Sequence, residues 1–363
     1  MEDELEIKKE IKEIQVNILK PANQNNKATQ EEFESILRMV APGTSLRTAL
    51  DGALKTERGA LIAIENEDVP RIIDGGFRIN AIFTPQRLIE LSKMDGAIIL
   101  SKDIKRINYA NVLLTPDSKL KSVETGTRHK AAERTAKQSG TLVIAISERK
   151  HEITLYYKNM RYPLVSTDEL LRKANENIQI LEKQRDLFDT HVEKLTRMEL
   201  RNHNSLNQAV SAIQKGKVVQ KIATDLRKVI IELGKEGTLL KTRLREIVGN
   251  VEEETDLILK DYSNLNQKKS KMFLDMLTYE ELLEKDNILS ALAYEKTVKS
   301  DSIKGWRVLS KTSLSEQDVA LLIKEAGSLG KAIHSGKEFY YSILGEGKAP
   351  LFLDELNRIK LNI

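Results

Sequence analysis

Short apolar runs recur through the first part of the chain, at 60–64, 71–73, 97–100, 111–114, 141–146 and 153–157, each bounded by Gly, Asp, Pro or Ser. Runs of this length with such punctuation predict β-strands. Between them the pattern changes period. Pro85 stands where the first helical residue of PQRLIELSK belongs, and 128–138 is rich in Ala, Glu and Arg, so both segments predict helices. Strands interleaved with helices predict one α/β domain that ends near Pro163.

A different pattern follows. Ser166-Thr167-Asp168-Glu169 reads as a capping box, with Ser166 accepting from the backbone and Glu169 reaching back. Leu171, Ala174, Ile178, Leu181, Phe188, Val192 and Leu195 then alternate at three and four residues, a stripe that Arg185 alone interrupts. Such spacing buries one face of a long helix. Segments 218–233, 239–247 and 252–262 repeat the pattern, which predicts an antiparallel helical bundle serving as a spacer. Proline agrees: six of the seven lie in the first 163 residues, and none follows until Pro350. From about residue 296 glycine returns, with the single tryptophan, Trp306, and short helices joined by glycine turns are expected. The charged N-terminal 30 residues read as a helical extension loosely joined through 23–27.

Composition narrows the chemistry. The 363 residues suffice for two or three domains, and 40% hydrophobic with 31% charged positions is a globular balance. Cysteine is absent, which excludes disulfides, thiolate catalysis and cysteine-ligated metal. No apolar run reaches about 18 residues, and the start lacks the apolar core of a signal peptide, so a soluble cytosolic protein is expected. With 58 Lys and Arg against 54 Asp and Glu, the net charge of +4 permits a nucleic-acid partner without demanding one.

Familiar cradles are missing: no GxxxxGK[ST], GxGxxG, GxSxG or HExxH occurs. Two clusters remain. Gly126-Thr127-Arg128-His129-Lys130-Ala131-Ala132-Glu133-Arg134 sets cations at the start of a predicted helix, where the dipole is already positive. A phosphate held by backbone N–H groups, the Thr127 hydroxyl and the Arg128 fork relieves that conflict; a solvated basic turn paired with Glu133 is the plain alternative. Met94-Asp95-Gly96-Ala97 places a carboxylate and a glycine at a strand entrance, fit for a metal or a hydroxyl, or simply for a turn. Asp51-Gly52-Ala53 repeats the tripeptide inside a helical pattern, where a structural role is expected.

Four segments, FRINAIFTPQRLIELSKMDGAIILS (77–101), GTRHKAAERTAKQSG (126–140), IELGKEGTLLKTRLREI (231–247) and GWRVLSK (305–311), resemble the DNA-integrity-scanning diadenylate cyclases in order and spacing. The likeness spans nearly all of the chain after about residue 30. It implies a nucleotidyltransferase-like α/β cyclase domain over 31–163, with a mixed sheet flanked by helices. An all-α spine over 164–295 and a helix-hairpin-helix DNA-binding domain over 296–363 would follow. It also implies condensation of two ATP into cyclic di-AMP and two pyrophosphates with Mg²⁺ or Mn²⁺. The cyclase domains would meet face to face in a homo-octamer, cytoplasmic and nucleoid-associated, answering to branched DNA such as Holliday junctions. By the same resemblance Asp95 assists the metal and the attacking 3′-hydroxyl, and Gly96 and Leu114 contact the nucleotide. Thr127, Arg128, His129, Lys130 and Ala131 line the phosphates, with Ser147 nearby.

Departures from the family pattern are also visible. Lys130 stands where a second arginine is common, keeping charge but losing the planar fork, with an expected cost of about 1–3 kcal/mol in transition-state stabilisation. Ala131 replaces a threonine and is expected to be tolerated. In the C-terminal hairpin Gly345, Gly347 and Lys348 are the expected DNA contacts, but Glu346 takes the apolar position and puts a carboxylate near the phosphate path. Lys348 is expected to offset it in part. The resemblance leaves two readings open: a DNA-regulated enzyme, or a nucleotide-sensing DNA scaffold with little or no catalysis.

Overall fold

The computed structural model describes residues 28–294 and 303–361. Nearly all of the proposed N-terminal extension, and the expected start of the C-terminal domain at 296, lie outside them. Two compact units emerge. One runs to Leu170 and includes Ile231–Glu236; the other joins Leu171–Ile230 to the chain from Gly237 onward.

The first unit is built on a mixed eight-stranded sheet. Its strands are β1 (Ala60–Ile64), β2 (Ile73–Asp74), β3 (Phe77–Ile82), β4 (Ala97–Leu100), β5 (Arg106–Leu114), β6 (Leu142–Ser147), β7 (Glu152–Tyr157) and β8 (Met160–Leu164). The order is β2-β5-β4-β1-β6-β7-β8, and β3 pairs with the start of β5. Only β1 and β4 run parallel among these pairs. The central strands are apolar throughout because both faces are covered. Ile62, Ile98 and Ile144 pack on one side with Leu46, Leu50 and Leu88 from the helices Ser45–Leu54 and Pro85–Leu91. Leu61, Ile99 and Val143 pack on the other with Ala132 and Ala136 of the helix Thr127–Ser139. Alanines there let that helix lie close on the sheet. Tyr162 donates to Glu232 at 2.6 Å, which ties the Ile231–Glu236 segment into this unit.

Two strands escape the sequence pattern. β3 lies at an edge, and the register slips where Asn80 takes φ 48°. β8 carries Pro163, which marks the predicted end of the domain yet is accommodated in the outermost strand, where one side of the backbone needs no partner.

The second unit is helical. Thr167–Leu200 and Leu206–Leu233 provide its long elements, followed by Thr238–Val248, Val251–Tyr262, Gln267–Met276, Tyr279–Leu283 and Lys285–Ala291. Ser166 Oγ accepts from the Glu169 N–H at 3.3 Å, capping the first of these. Ala174, Ile178, Leu181, Phe188, Val192 and Leu195 are buried as the stripe requires, but Leu170 rather than Leu171 begins it. Arg185, the interruption, donates to the carbonyls of Ile247 and Val248 at 2.7 and 3.3 Å and so caps the C-terminus of Thr238–Val248. Trp306–Leu309, Glu316–Ala326, Leu329–His334 and Lys337–Leu361 complete the unit. No helix among the described residues is long and apolar enough to cross a membrane.

Candidate functional site

The two Asp-Gly-Ala tripeptides have separate fates. Asp51 lies inside a helix and pairs with Arg47 at 2.9 Å, and Gly52 makes room for Ile89 of the neighbouring helix. Asp95 sits on the turn that feeds β4, its side chain fully exposed. Gly96 takes φ 84°, and a Cβ there would come within 2.8–2.9 Å of the Asn111 and Val112 backbone. The turn is therefore pressed against β5 at a bulge where Asn111 itself has φ 55°. Only glycine permits both the conformation and the approach.

Arg128 meets Asp95 from the start of the helix Thr127–Ser139, Nη2 to Oδ1 at 3.9 Å. That distance makes a loose pair of little energetic weight, so both groups remain available. The guanidinium lies over Gly59, just before β1, where a Cβ would collide with Nη1. Gly126 caps the helix without a side-chain bond and no acid stands in the first turn. The leading N–H groups and the dipole thus face outward without an anion of the chain's own. Thr127 is exposed, while Lys130 is half-buried with its N–H on the Gly126 carbonyl at 2.8 Å. Glu133 does not pair with the basic turn: it binds Lys137 at 2.6 Å and accepts from Ser122 and the Val123 N–H.

His129 is half-buried with its ring edge against Tyr156, centroids 6.3 Å apart at 79°. Tyr156 donates to Glu124 at 2.8 Å, and Arg161 donates to the same carboxylate oxygen at 2.6 Å. Burial pushes the imidazole below its ordinary range, and the Glu124 charge opposes that only in part. Burial alone would raise Glu124, but the Arg161 and Tyr156 hydrogen bonds outweigh it and hold the carboxyl low.

The remaining predicted residues separate. Ala131 packs against the core beneath the helix, and Ser147 ends β6 with Oγ accepting from the Lys150 N–H at 3.2 Å. Leu114 turns its side chain into the core, paired with Ile73, so any nucleotide contact there falls to the backbone; Leu113 faces outward. Gly345, Gly347 and Lys348 belong to the second unit. Gly345 breaks Lys337–Leu361 into two helical arms with φ 73° and ψ 172°, a conformation open essentially to glycine alone. Lys348 pairs with Asp318 at 2.7 Å while its side chain stays exposed. Sequence reasoning passed over Gly59, Glu124, Tyr156 and Arg161, whose roles arise from contacts across the fold.

A divalent metal fits this donor set only with help. Among the described residues no three potential ligands cluster. Asp95 alone offers an exposed carboxylate, and Mg²⁺ is commonly held by one or two carboxylates together with substrate phosphates.

Comparison with known proteins covers both units. Residues 47–161 match a family described as the DisA bacterial checkpoint controller nucleotide-binding domain, and 164–301 match its linker region. A DNA integrity scanning protein DisA from Acetivibrio thermocellus is 37% identical over 344 residues, covering 92% of this chain and 96% of that protein. The Bacillus subtilis protein of the same name is 38% identical over 326 residues, covering 87% and 90%.

Proposed function

Because the chain belongs to the DisA family of DNA integrity scanning proteins, we propose that its nucleotide-binding domain is a diadenylate cyclase that condenses two ATP into cyclic di-AMP and two pyrophosphates. The observation that carries this reading is the convergence of Asp95 with Arg128 at an uncapped helix N-terminus. Each 3′-hydroxyl attacks the α-phosphorus of the other nucleotide; the new P–O bond forms as the bond to pyrophosphate breaks, and the hydroxyl proton passes to solvent water. Such displacement needs alignment and charge neutralisation more than covalent help. Arg128, Thr127 and the leading helix N–H groups hold phosphate oxygens, and Lys130 adds charge without a bidentate fork. Asp95 orients the hydroxyl and would hold Mg²⁺ or Mn²⁺ jointly with the triphosphate, the ion supplying charge neutralisation. His129, whose burial favours the neutral imidazole, presents a hydrogen-bonding ring beside the phosphates.

One domain positions one ATP, so a two-fold product calls for two domains face to face; a homo-octamer would supply such pairs. In the second unit the Gly345–Gly347 turn offers backbone N–H groups to DNA phosphates, with branched DNA such as a Holliday junction as the regulatory partner. Lys348, exposed while paired with Asp318, lies beside that turn.

Incubation with ATP and Mn²⁺, followed by mass spectrometry of the products, tests the reading. Cyclic di-AMP is expected, and Asp95→Asn should abolish it while leaving the assembly intact. ATP bound without product would instead favour the nucleotide-sensing scaffold that Lys130 keeps in view, and Lys130→Arg would then be tested for recovery of synthesis.

A further inference from the structure

A cleft of about 780 Å³ in the second unit has chemistry that no step of the proposed reaction uses. One wall is the turn that ends Thr167–Leu200, where Asn202 adopts φ 57° and the Asn202 and His203 N–H groups close back on Glu199 and Met198 at 3.0 and 2.9 Å. The other wall is the helix Leu329–His334 with Phe339 beyond it. The walls are seated, not merely adjacent. A Cβ at Gly330 would come 2.5 Å from Asn202 Oδ1, so the absence of a side chain there lets the turn rest against the helix. Glu199, just before the turn, is bound to the fully buried Arg307, which fixes the same wall from behind. A cleft held in this way is pre-formed, the usual state of small-molecule sites.

Its lining combines exposed cations with an aromatic ring. Arg201 and Lys331 are exposed, and neither is held by a carboxylate among the described residues. His334 donates through Nδ1 to the Gly330 carbonyl at 2.9 Å, since that oxygen can only accept, which leaves Nε2 for another partner. Glu325 is the acid among the lining residues, set against Arg201 and Lys331. Phe339 is half-buried and steadied by Tyr340, which meets it edge-on at 5.7 Å and 75°. Paired cations suit a phosphate and a fixed ring suits a base.

We propose that this cleft binds a nucleoside monophosphate, its base against Phe339 and its phosphate between Arg201 and Lys331. The site is separate from the cyclase residues and from the Gly345–Lys348 turn, and it does not depend on the reaction proposed above. A recess between a turn and a helix admits one nucleotide more readily than a duplex, whose phosphates lie on a convex surface.

Photolabelling of the full chain with 8-azido-AMP, followed by peptide mapping, tests the proposal. Label is expected on peptides within 303–339, displaced by AMP and retained in Arg128→Ala, whose lesion lies in the cyclase unit. The double variant Arg201→Ala/Lys331→Ala should lower that label at least about tenfold, the worth of one charge-assisted hydrogen bond, with thermal unfolding unchanged. Label confined to the first unit would overturn the proposal. So would equal labelling of the double variant, or displacement by blunt duplex DNA as effective as by AMP.

Discussion

Arg128 and Arg307 each stand second in a helix, and their surroundings diverge. Arg307 lies in the first turn of Trp306–Leu309, whose first N–H groups, those of Gly305, Trp306 and Arg307, all donate to the Asp261 carboxylate at 2.9, 2.8 and 2.9 Å. Its guanidinium is fully buried and bound to Glu199, to Glu254 at 2.9 Å and to Thr196 at 2.8 Å. Arg128 lies in the first turn of Thr127–Ser139, where Gly126 offers no capping side chain and the nearest carboxylate, on Asp95, is loose at 3.9 Å. The physical demand is the same in both places, because a helix N-terminus and a guanidinium both call for an anion. In one case the chain supplies the anion from within. In the other the demand is left open at the surface, which is what a phosphate-binding site requires.

Removing each arginine should therefore damage different properties. Arg307→Ala strands Glu199 as a buried charge, leaves Glu254 only Lys311 at 3.4 Å, and is expected to destabilise the second unit by about 3–5 kcal/mol in denaturant unfolding. Arg307→Met, which also removes the partners' cation, should not rescue it unless both glutamates are neutralised too. Arg128→Ala should leave the unfolding midpoint within about 1 kcal/mol, because an exposed loose pair is worth no more. In the proposed reaction it should lower synthesis about 10²–10³-fold, the typical loss when one preorganised transition-state donor is removed. A large stability loss in Arg128→Ala would make the two arginines alike and remove the distinction.

The contrast also explains what could be read from the chain. β1 and β4 coincide with uninterrupted apolar runs because buried central strands need apolar residues on both faces. Arg128 was visible because three cations at a helix start are locally unfavourable, and local conflict can be read locally. Arg307 was not: its partners lie 108 and 53 residues away, and nothing in GWRVLSK signals them. Gly59 was silent for the same reason, since its role is to leave space for a side chain far along the sequence. β8 was hidden by Pro163, a strand breaker everywhere except at an edge. Lys348 was assigned to DNA by its position beside the hairpin glycines, while its ion pair with Asp318 depends on packing across 30 residues.

Supplying the missing anion should convert the open site toward the closed one. Gly126 has φ −76° and ψ 139°, which suits any capping residue, and a Cβ there meets nothing closer than His129 Nδ1 at 3.7 Å. Gly126→Asp is thus expected to raise stability by only a few tenths of a kcal/mol, the usual advantage of aspartate over glycine as a cap. The same carboxylate would occupy the N–H groups proposed for phosphate, and ATP affinity should fall about tenfold or more by calorimetric titration. Unchanged affinity would show that the helix start is not where the triphosphate lies.

The finest distinction concerns His129. Its folded pKa lies below its ordinary value near 6.5 because burial disfavours the imidazolium, while Glu124 partly restores it. A depressed pKa means that the unfolded chain binds the proton more tightly, so this histidine's share of stability is complete above pH 6.5 and is lost as pH falls toward the folded value. Glu124→Gln removes the opposing charge, depresses that pKa further and should steepen the loss between pH 7.5 and 5.5 by less than about 1 kcal/mol. The variant also breaks the Arg161 pair, but that penalty is constant over this range, where a carboxyl held low stays ionised. Comparing unfolding across the two pH values in wild-type and His129→Gln backgrounds isolates the coupling, because His191, which also titrates low, is common to both and cancels. If Glu124→Gln changes the pH slope equally in both backgrounds, the carboxylate does not act on His129, and the Tyr156–Glu124–Arg161 group serves the sheet alone.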